Sequence, residues 1–413
     1  MVDILEKLLA MGGPAEPAVL RADPEPGARL HPIISVDDHF IEPPDVFTGR
    51  LPARFADTGP RTVRDGAADY WIFEDQRVPV LGVEGIQSWE PGRGHYGPIT
   101  FEEFRPGTWR IEDRVADMDR NGVVASLNFP SAIFGFAGQR FLRMKDPELG
   151  LASMRAYNDW IIESWTAPHP DRIIACQVTW LADPVVAAEE IRRNAERGFK
   201  AVSFSENPEK LGLPSIYKPD WEPFFEACEE TGTVINLHVG SSSETMFPST
   251  DSDPSVLGIL FPVNGFSAAT DWLFARIPVR HPELRIVLSE GGIGWVPILL
   301  DRLSYMSRER DRWEGFGDLT PIEVFHRNFY LTTFSDQRTL SLRAEIGVDR
   351  IMFETDYPHS DSSWPNTQAI VATQLAGVPP TEADAMTFAN AAALYRHPLP
   401  ADLAVPAGPS AGR

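Results

Sequence analysis

Two cysteines in 413 residues are too few for a disulfide framework. Cys176 and Cys228 each sit in an apolar stretch and are expected to be buried thiols in a reducing compartment. Basic residues are also scarce. Lys and Arg number 37 against 59 Asp and Glu, a formal net charge of -22, and no run of five basic residues occurs. A nucleic-acid partner needs positive surface to neutralise phosphates, so that class is excluded. An anionic membrane surface is excluded for the same reason. The acidity favours solubility, and it obliges an anionic substrate to find cations within its site. Long apolar runs are absent too. None approaches the roughly 20 residues that span a bilayer. The stretch Met1–Gly13 carries Glu6 and Lys7 and lacks a basic region followed by an apolar one, so no secretory signal is expected there. The expectation is a cytoplasmic protein with no nucleic-acid or membrane partner.

Hydrophobic residues make up 43% of the chain, enough for one large core. Residues 1–31 are rich in proline and glycine and read as an N-terminal strap. Residues 398–413 read as a loose tail. Between them, apolar runs at 32–37, 123–129, 172–179, 201–205, 233–239, 285–290, 328–333 and 350–355 predict strands. Helical spacing at 111–121, 149–165, 183–196, 221–231, 268–277, 295–308 and 337–346 fills the gaps, and 381–394 supplies closing helices. Strands alternating with helices predict a parallel sheet covered on both faces. Eight such units predict an α/β fold, a (β/α)₈ barrel over residues 32–397. One interruption breaks the rhythm. Residues 42–106 show no helical periodicity but many prolines, glycines and aromatics. Following the first strand, this insertion belongs on the C-terminal face, where barrel active sites lie, as a lid or a dimerisation arm.

The chemistry is carried by polar residues at strand ends. The first strand ends Asp37-Asp38-His39, the fifth ends at His238, the sixth at Glu290, and the eighth at Glu354-Thr355-Asp356. Asp37 and His39 are two apart, so on an extended chain they share a face and Asp38 points away. Together with His238 and Asp356 they offer two oxygen and two nitrogen donors. That set suits one divalent ion, Zn²⁺ first, with Mn²⁺, Fe²⁺ or Mg²⁺ as alternatives. Glu290 and His359 are the candidate acid and base groups. Trp89, Arg93, His95 and Tyr96 of the insertion are candidates for lining a substrate pocket, although packing within the insertion is the better account of most of them. His31, His169, His281, His326 and His397 fall in loops or before proline and are expected to face solvent. Gly291-Gly292-Ile293-Gly294 lacks the spacing of a dinucleotide fingerprint. No histidine is placed to activate Ser241, Ser242 or Ser243 as a nucleophile.

These motifs resemble the amidohydrolase-related family that includes the aminocarboxymuconate-semialdehyde and γ-resorcylate decarboxylases. The resemblance rests on Asp37-Asp38-His39 with Ile41-Glu42-Pro43-Pro44-Asp45, on Ile235-Asn236-Leu237-His238, and on Pro282–Leu288 before Gly291-Gly292. It continues through Phe353-Glu354-Thr355-Asp356-Tyr357-Pro358-His359 to Asn390–Tyr395, nearly the whole chain. It implies a barrel whose metal is held by Asp37, His39, His238 and Asp356. It also implies a homodimer or larger homo-oligomer acting on a small molecule, and a role for Glu42 in orienting a ligand. Two departures stand out. Asp37 stands where the family has His or Glu, which shortens its reach. Glu290 stands where the decarboxylases have a proton-handling histidine. The loss of that histidine tilts the expectation toward hydrolysis of an amide, ester, lactone or carbon–carbon bond next to a carbonyl. Non-oxidative decarboxylation of an aromatic or related carboxylic acid is the alternative. A non-catalytic ligand-binding barrel is a third reading.

Overall fold

The computed structural model describes residues 18–25, 28–249, 251–253, 255–308, 313–401 and 403. The stretch 1–13 and most of the tail after residue 401 lie outside the described residues. In chain order the strands are β1 (Ile33–His39), β2 (Arg61–Asp65), β3 (Ala68–Phe73), β4 (Gln76–Pro79), β5 (Val123–Phe129), β6 (Ile173–Ile174), β7 (Cys176–Val178), β8 (Ala201–Phe204), β9 (Val234–His238), β10 (Ile286–Ser289), β11 (Phe329–Thr333) and β12 (Ile351–Phe353).

Eight parallel staves form a (β/α)₈ barrel. β1 pairs with β5 and β5 with β6, while β7 to β12 pair in sequence. β6 and β7 are one stave interrupted at Ala175. The ring closes where His39 N donates to Tyr357 O at 2.7 Å and Asp356 N donates to Asp37 O at 2.9 Å. Every residue of these staves is buried, which is why they read as continuous apolar runs. Ile286 and Leu288 of β10 pack outward with the helices, and Val287 packs inward with Val234, Tyr330 and Met352. Phe388 and Tyr395 join that inner cluster. Tyr395 anchors there by donating its hydroxyl to Asn236 Oδ1 at 2.6 Å.

The helices begin and end by local rules. Pro184–Arg197 starts at Asp183, whose carboxylate accepts from the backbone of Val185 and Val186. It stops at Gly198, whose φ of 108° ends the helix and turns the chain toward β8. Both cysteines are free and buried, as their surroundings predict.

Four expectations need correction. First, the insertion is not unpatterned: β2, β3 and β4 form a three-stranded antiparallel sheet. Backbone bonds from Val19 to Arg93 and from Arg21 to Ser88 tie the strap to this insertion. Second, the helix placed at 268–277 starts earlier and runs Val256–Phe274 (here α1), passing through Pro262. By length and composition its 19 residues could cross a bilayer, against the expectation that no run comes close. Its C-terminal half is instead used for packing, with Trp272 against Phe204 and Phe225. Third, the helix expected at 337–346 is two short pieces, Thr339–Leu342 and Arg343–Ile346. Fourth, His281 and His397 do not face solvent. His281 is buried between Glu222 and Glu229, and His397 is buried against Asp171 O.

Candidate metal centre

At the C-terminal ends of β1, β9 and β12, four buried side chains converge. His39 Nε2 lies 3.1 Å from His238 Nε2, 3.4 Å from Asp37 Oδ1 and 3.6 Å from Asp356 Oδ1. His238 Nε2 lies 3.5 Å from Asp37 Oδ1. A tetrahedron with bonds of about 2.1 Å has edges of about 3.4 Å, so the Asp37, His39 and His238 spacings match three donors around one ion, with Asp356 adjoining through His39.

The hydrogen bonds make the case stronger. His39 Nδ1 faces Pro130 O at 3.0 Å, and His238 Nδ1 faces Val239 O at 2.6 Å. A carbonyl can only accept, so each Nδ1 carries the hydrogen, and in the neutral rings each Nε2 presents a lone pair. Two such lone pairs 3.1 Å apart repel unless a metal ion lies between them or one ring takes up a proton. Both oxygens of Asp37 and both of Asp356 are buried with no hydrogen-bond partner among the described residues. A buried, unpaired carboxylate is costly, and a divalent ion satisfies both at once. The residues therefore fit a single metal.

The protein's own electrostatics pull hard around this point. Burial alone would raise the Asp37 carboxyl, but the His238 charge and the close approach of both histidine rings hold it down at about 2. Burial lowers His39 to about 3, helped by His359 and His238. Burial works to lower His238 too, yet Asp37 and Glu290 lift it to about 10. Burial and the neighbouring carboxylates push Asp356, Glu290 and Glu354 well above the carboxylate range. This crowding of negative charge is what a divalent cation would relieve.

Both acid and base candidates border the cluster. Glu290 Oε2 lies 3.6 Å from His238 Nε2. Its φ of 60° is unusual for a residue with a side chain, and its N–H is held by Thr332 Oγ1 at 3.1 Å. His359 stacks on His39 with ring centroids 3.8 Å apart, and its Nδ1 lies 3.1 Å from Asp356 Oδ1.

Asp38 does point away from the cluster, as the pleat predicts, and its task is structural. Its Oδ1 accepts from Ser35 Oγ at 3.0 Å, Thr355 Oγ1 at 2.5 Å and Tyr357 N at 3.0 Å, while Oδ2 accepts from Ser126 Oγ. One carboxylate thus clasps β1 to its two neighbouring staves. The pairing of β1 with β5 shifts register between Ser35 and Asp38, a local irregularity that re-aims side chains. Glu42 touches no ligand directly. It accepts from Ser131 N, Ser131 Oγ and Tyr157 OH, fixing the residue next to Pro130, whose carbonyl orients His39.

The recorded contacts of the insertion candidates lie within the insertion and strap. Trp89 is buried against His95 and Phe104. Tyr96 and Arg93 are half-buried, their backbones bonded to Val83 and Glu90. What the insertion does bring to the mouth is the segment Gly82–Ser88. Gln87 donates to the carbonyls of His359 and Ser360 at 3.2 and 3.4 Å, and Glu84 accepts from Ala132 N at 3.0 Å. Sequence reasoning also missed Phe136. Its ring lies 4.2 Å from His238 and 5.1 Å from His39, forming an aromatic wall with Phe129. Its only signal was its place in the loop after the second stave.

The family described as amidohydrolase matches residues 39–397. Among curated proteins, the γ-resorcylate decarboxylase of Rhodococcus jostii (strain RHA1) is 28% identical over 279 residues, covering 62% of this chain and 82% of that one. Among solved structures, an amidohydrolase from Mycobacterium avium subsp. paratuberculosis K-10 superposes with a TM-score of 0.67 at 22% identity, covering 89% of this chain and 100% of that one. A dihydroxybenzoic acid decarboxylase from Polaromonas sp. JS666, with bound manganese and the inhibitor 2-nitroresorcinol, superposes with a TM-score of 0.59 at 19% identity. There the coverage is 89% of this chain and 97% of that one.

Proposed function

The chain belongs to the amidohydrolase family, and from that premise we propose that it is a manganese-dependent, non-oxidative decarboxylase of a hydroxylated aromatic acid. The observation that carries the reading is the Asp37, His39 and His238 donors 3.1–3.5 Å apart, with Asp356 3.6 Å from His39 and neither carboxylate hydrogen-bonded among the described residues. Similarity to decarboxylases of dihydroxybenzoates supplies the reaction class, and moves the reading from the hydrolysis expected above to its alternative. Manganese is preferred over the expected zinc because carboxylates crowd the donor set and harder ions favour oxygen. Such an ion, when bound, supplies a Lewis acid that neutralises and orients an anionic substrate.

The chain's own residues do the rest. Decarboxylation needs a proton delivered to the ring carbon as its bond to the carboxylate breaks and CO₂ leaves. Glu290 stands in the place of the relatives' proton-handling histidine, and it takes that task. His359, stacked on His39 beside Asp356, is the second proton-handling group. Phe129 and Phe136 offer an apolar wall to an aromatic ring and exclude water. The Gly82–Ser88 segment, tied to the His359 loop, acts as a lid. Trp89, Arg93, His95 and Tyr96 then support the lid rather than contact substrate. Assembly as a homodimer or larger oligomer in the cytoplasm remains part of this reading.

One feature favours a second reading. A carboxylate at position 290 is also suited to activating water, which suits hydrolysis next to a carbonyl. Incubating manganese-loaded protein with 2,6-dihydroxybenzoate, 2-hydroxybenzoate and related acids in D₂O separates the two. The proposal expects CO₂ release and one deuterium at the vacated ring carbon. No CO₂ from any such acid, together with cleavage of esters or lactones, would favour hydrolysis.

A further inference from the structure

A chamber opens at the same end of the barrel as the metal centre. It is a cavity of about 290 Å³, walled by the segments that follow β8 and β9 and by α1. None of the four metal donors lines it. The cavity is nevertheless tied to the metal centre through the segment after His238. Glu206 lines the cavity, and its Oε1 accepts from Gly240 N at 3.3 Å, two residues beyond His238. The same oxygen accepts from Ser242 Oγ at 2.9 Å and Asn264 Nδ2 at 3.4 Å. Phe136 packs on the His238 ring and lies close beside Gly240, the residue bonded to Glu206.

The chamber's charge is one-sided. Lys210, the basic residue in its lining, is paired with Glu244. That leaves the carboxyls of Glu206 and Asp271, above an apolar floor of Met246, Phe247 and Ala268. Asp271 already accepts from Tyr217 OH at 2.8 Å. All three recorded bonds to the Glu206 carboxyl reach Oε1, so Oε2 is the acceptor that a ligand would meet. Such a chamber recognises donors and repels anions, because an added carboxylate would meet like charge without a free cation to offset it.

We propose that this cavity is a substrate subsite for a hydrogen-bond-donating group, a hydroxyl, amide N–H or ammonium, borne away from the reacting carboxylate, with Glu206 as its specificity-determining acceptor. The inference rests on the reading of the adjacent metal centre as acting on an aromatic acid. It narrows that substrate to one with a single anionic end and a donor at the other.

The test is equilibrium binding to manganese-loaded protein, by calorimetry, of four probes. These are 2-hydroxybenzoate and its 5-hydroxymethyl, 5-aminomethyl and 5-carboxymethyl derivatives. The wild type should bind the hydroxymethyl and aminomethyl probes at least tenfold more tightly than the carboxymethyl probe. Glu206→Gln should erase most of the aminomethyl preference and leave 2-hydroxybenzoate unchanged. Equal changes for all four probes, or a carboxymethyl probe that binds wild type as well as the aminomethyl one, would overturn the subsite. Glu206 is buried, so a second variant guards against misfolding. Ser267 is exposed on the cavity lining, and Ser267→Lys should raise carboxymethyl binding to the aminomethyl level. No gain there also overturns the proposal. Parallel CO₂ assays keep the two ideas distinct. Probe discrimination without CO₂ release from any acid sinks the decarboxylase reading and leaves the subsite standing. CO₂ release without discrimination does the reverse.

Discussion

Replacing Asp38 tests whether the barrel's closure and its metal centre are one construction. The carboxylate accepts four hydrogen bonds, from Ser35, Ser126, Thr355 and Tyr357 N, and joins β1 to both neighbouring staves. In Asp38→Ala all four donors lose their partner in a dry interior. Each stranded donor costs about 1–3 kcal/mol, so the variant should lose roughly 4–8 kcal/mol, tempered where hydroxyls turn to other acceptors. Asp38→Asn should be far milder, costing about 1–2 kcal/mol. Its carbonyl can keep the three bonds now made to Oδ1. Its amide then faces Ser126 Oγ, whose hydroxyl can rotate to accept. Because Asp37 and His39 flank Asp38, and Thr355 and Tyr357 flank Asp356, the alanine variant should also bind metal more weakly. Urea unfolding with metal analysis on the same samples reads both effects. An Asp38→Ala protein with wild-type stability and full metal content would refute the reasoning.

Glu290→Gln should retain the metal and slow turnover by at least about 100-fold, the loss expected when an acid–base group is removed. Metal lost from that variant would make Glu290 a ligand instead. Glu84 gives a pH signature. Burial raises its carboxyl to about 8 from an ordinary 4.5, with Glu42 adding to the shift. The folded state therefore keeps a proton that the unfolded chain releases. Its contribution to stability is fully present below pH 4.5 and is lost as the pH rises to 8, at about 1.4 kcal/mol per pH unit. In urea titrations across that range, Glu84→Gln should fall less steeply with pH than wild type, and identical slopes would contradict the assignment.

The barrel was legible because its physics is local and repeated. Buried parallel staves read as apolar runs, and Asp183 before Pro184 or Gly198 after Arg197 marks a helix end directly. The closeness of Asp37 and His39 was legible because an extended chain puts residues two apart on one side. Where the reading failed, long-range contacts decided. In β2 the strand Arg61–Asp65 is mostly exposed, so it lacks apolar alternation, and only the turn at Gly66 after Asp65 hinted at a hairpin. The start of α1 was hidden by Pro262 and by Gly258 and Gly265, which punctuate a helix that continues past them. His281 gave no sign of burial because the carboxylates that accompany it, Glu222 and Glu229, come from another helix. Phe136 reaches the site through a loop whose convergence on the histidines no spacing rule exposes.

The most direct measurement is a titration of metal-stripped protein with Mn²⁺, reading bound ion and turnover together. The account predicts saturation at one ion per chain, activity rising in step with it, and both lost in His238→Ala. A stripped protein that turns over substrate at the full rate, or that binds no ion while correctly folded, would contradict it.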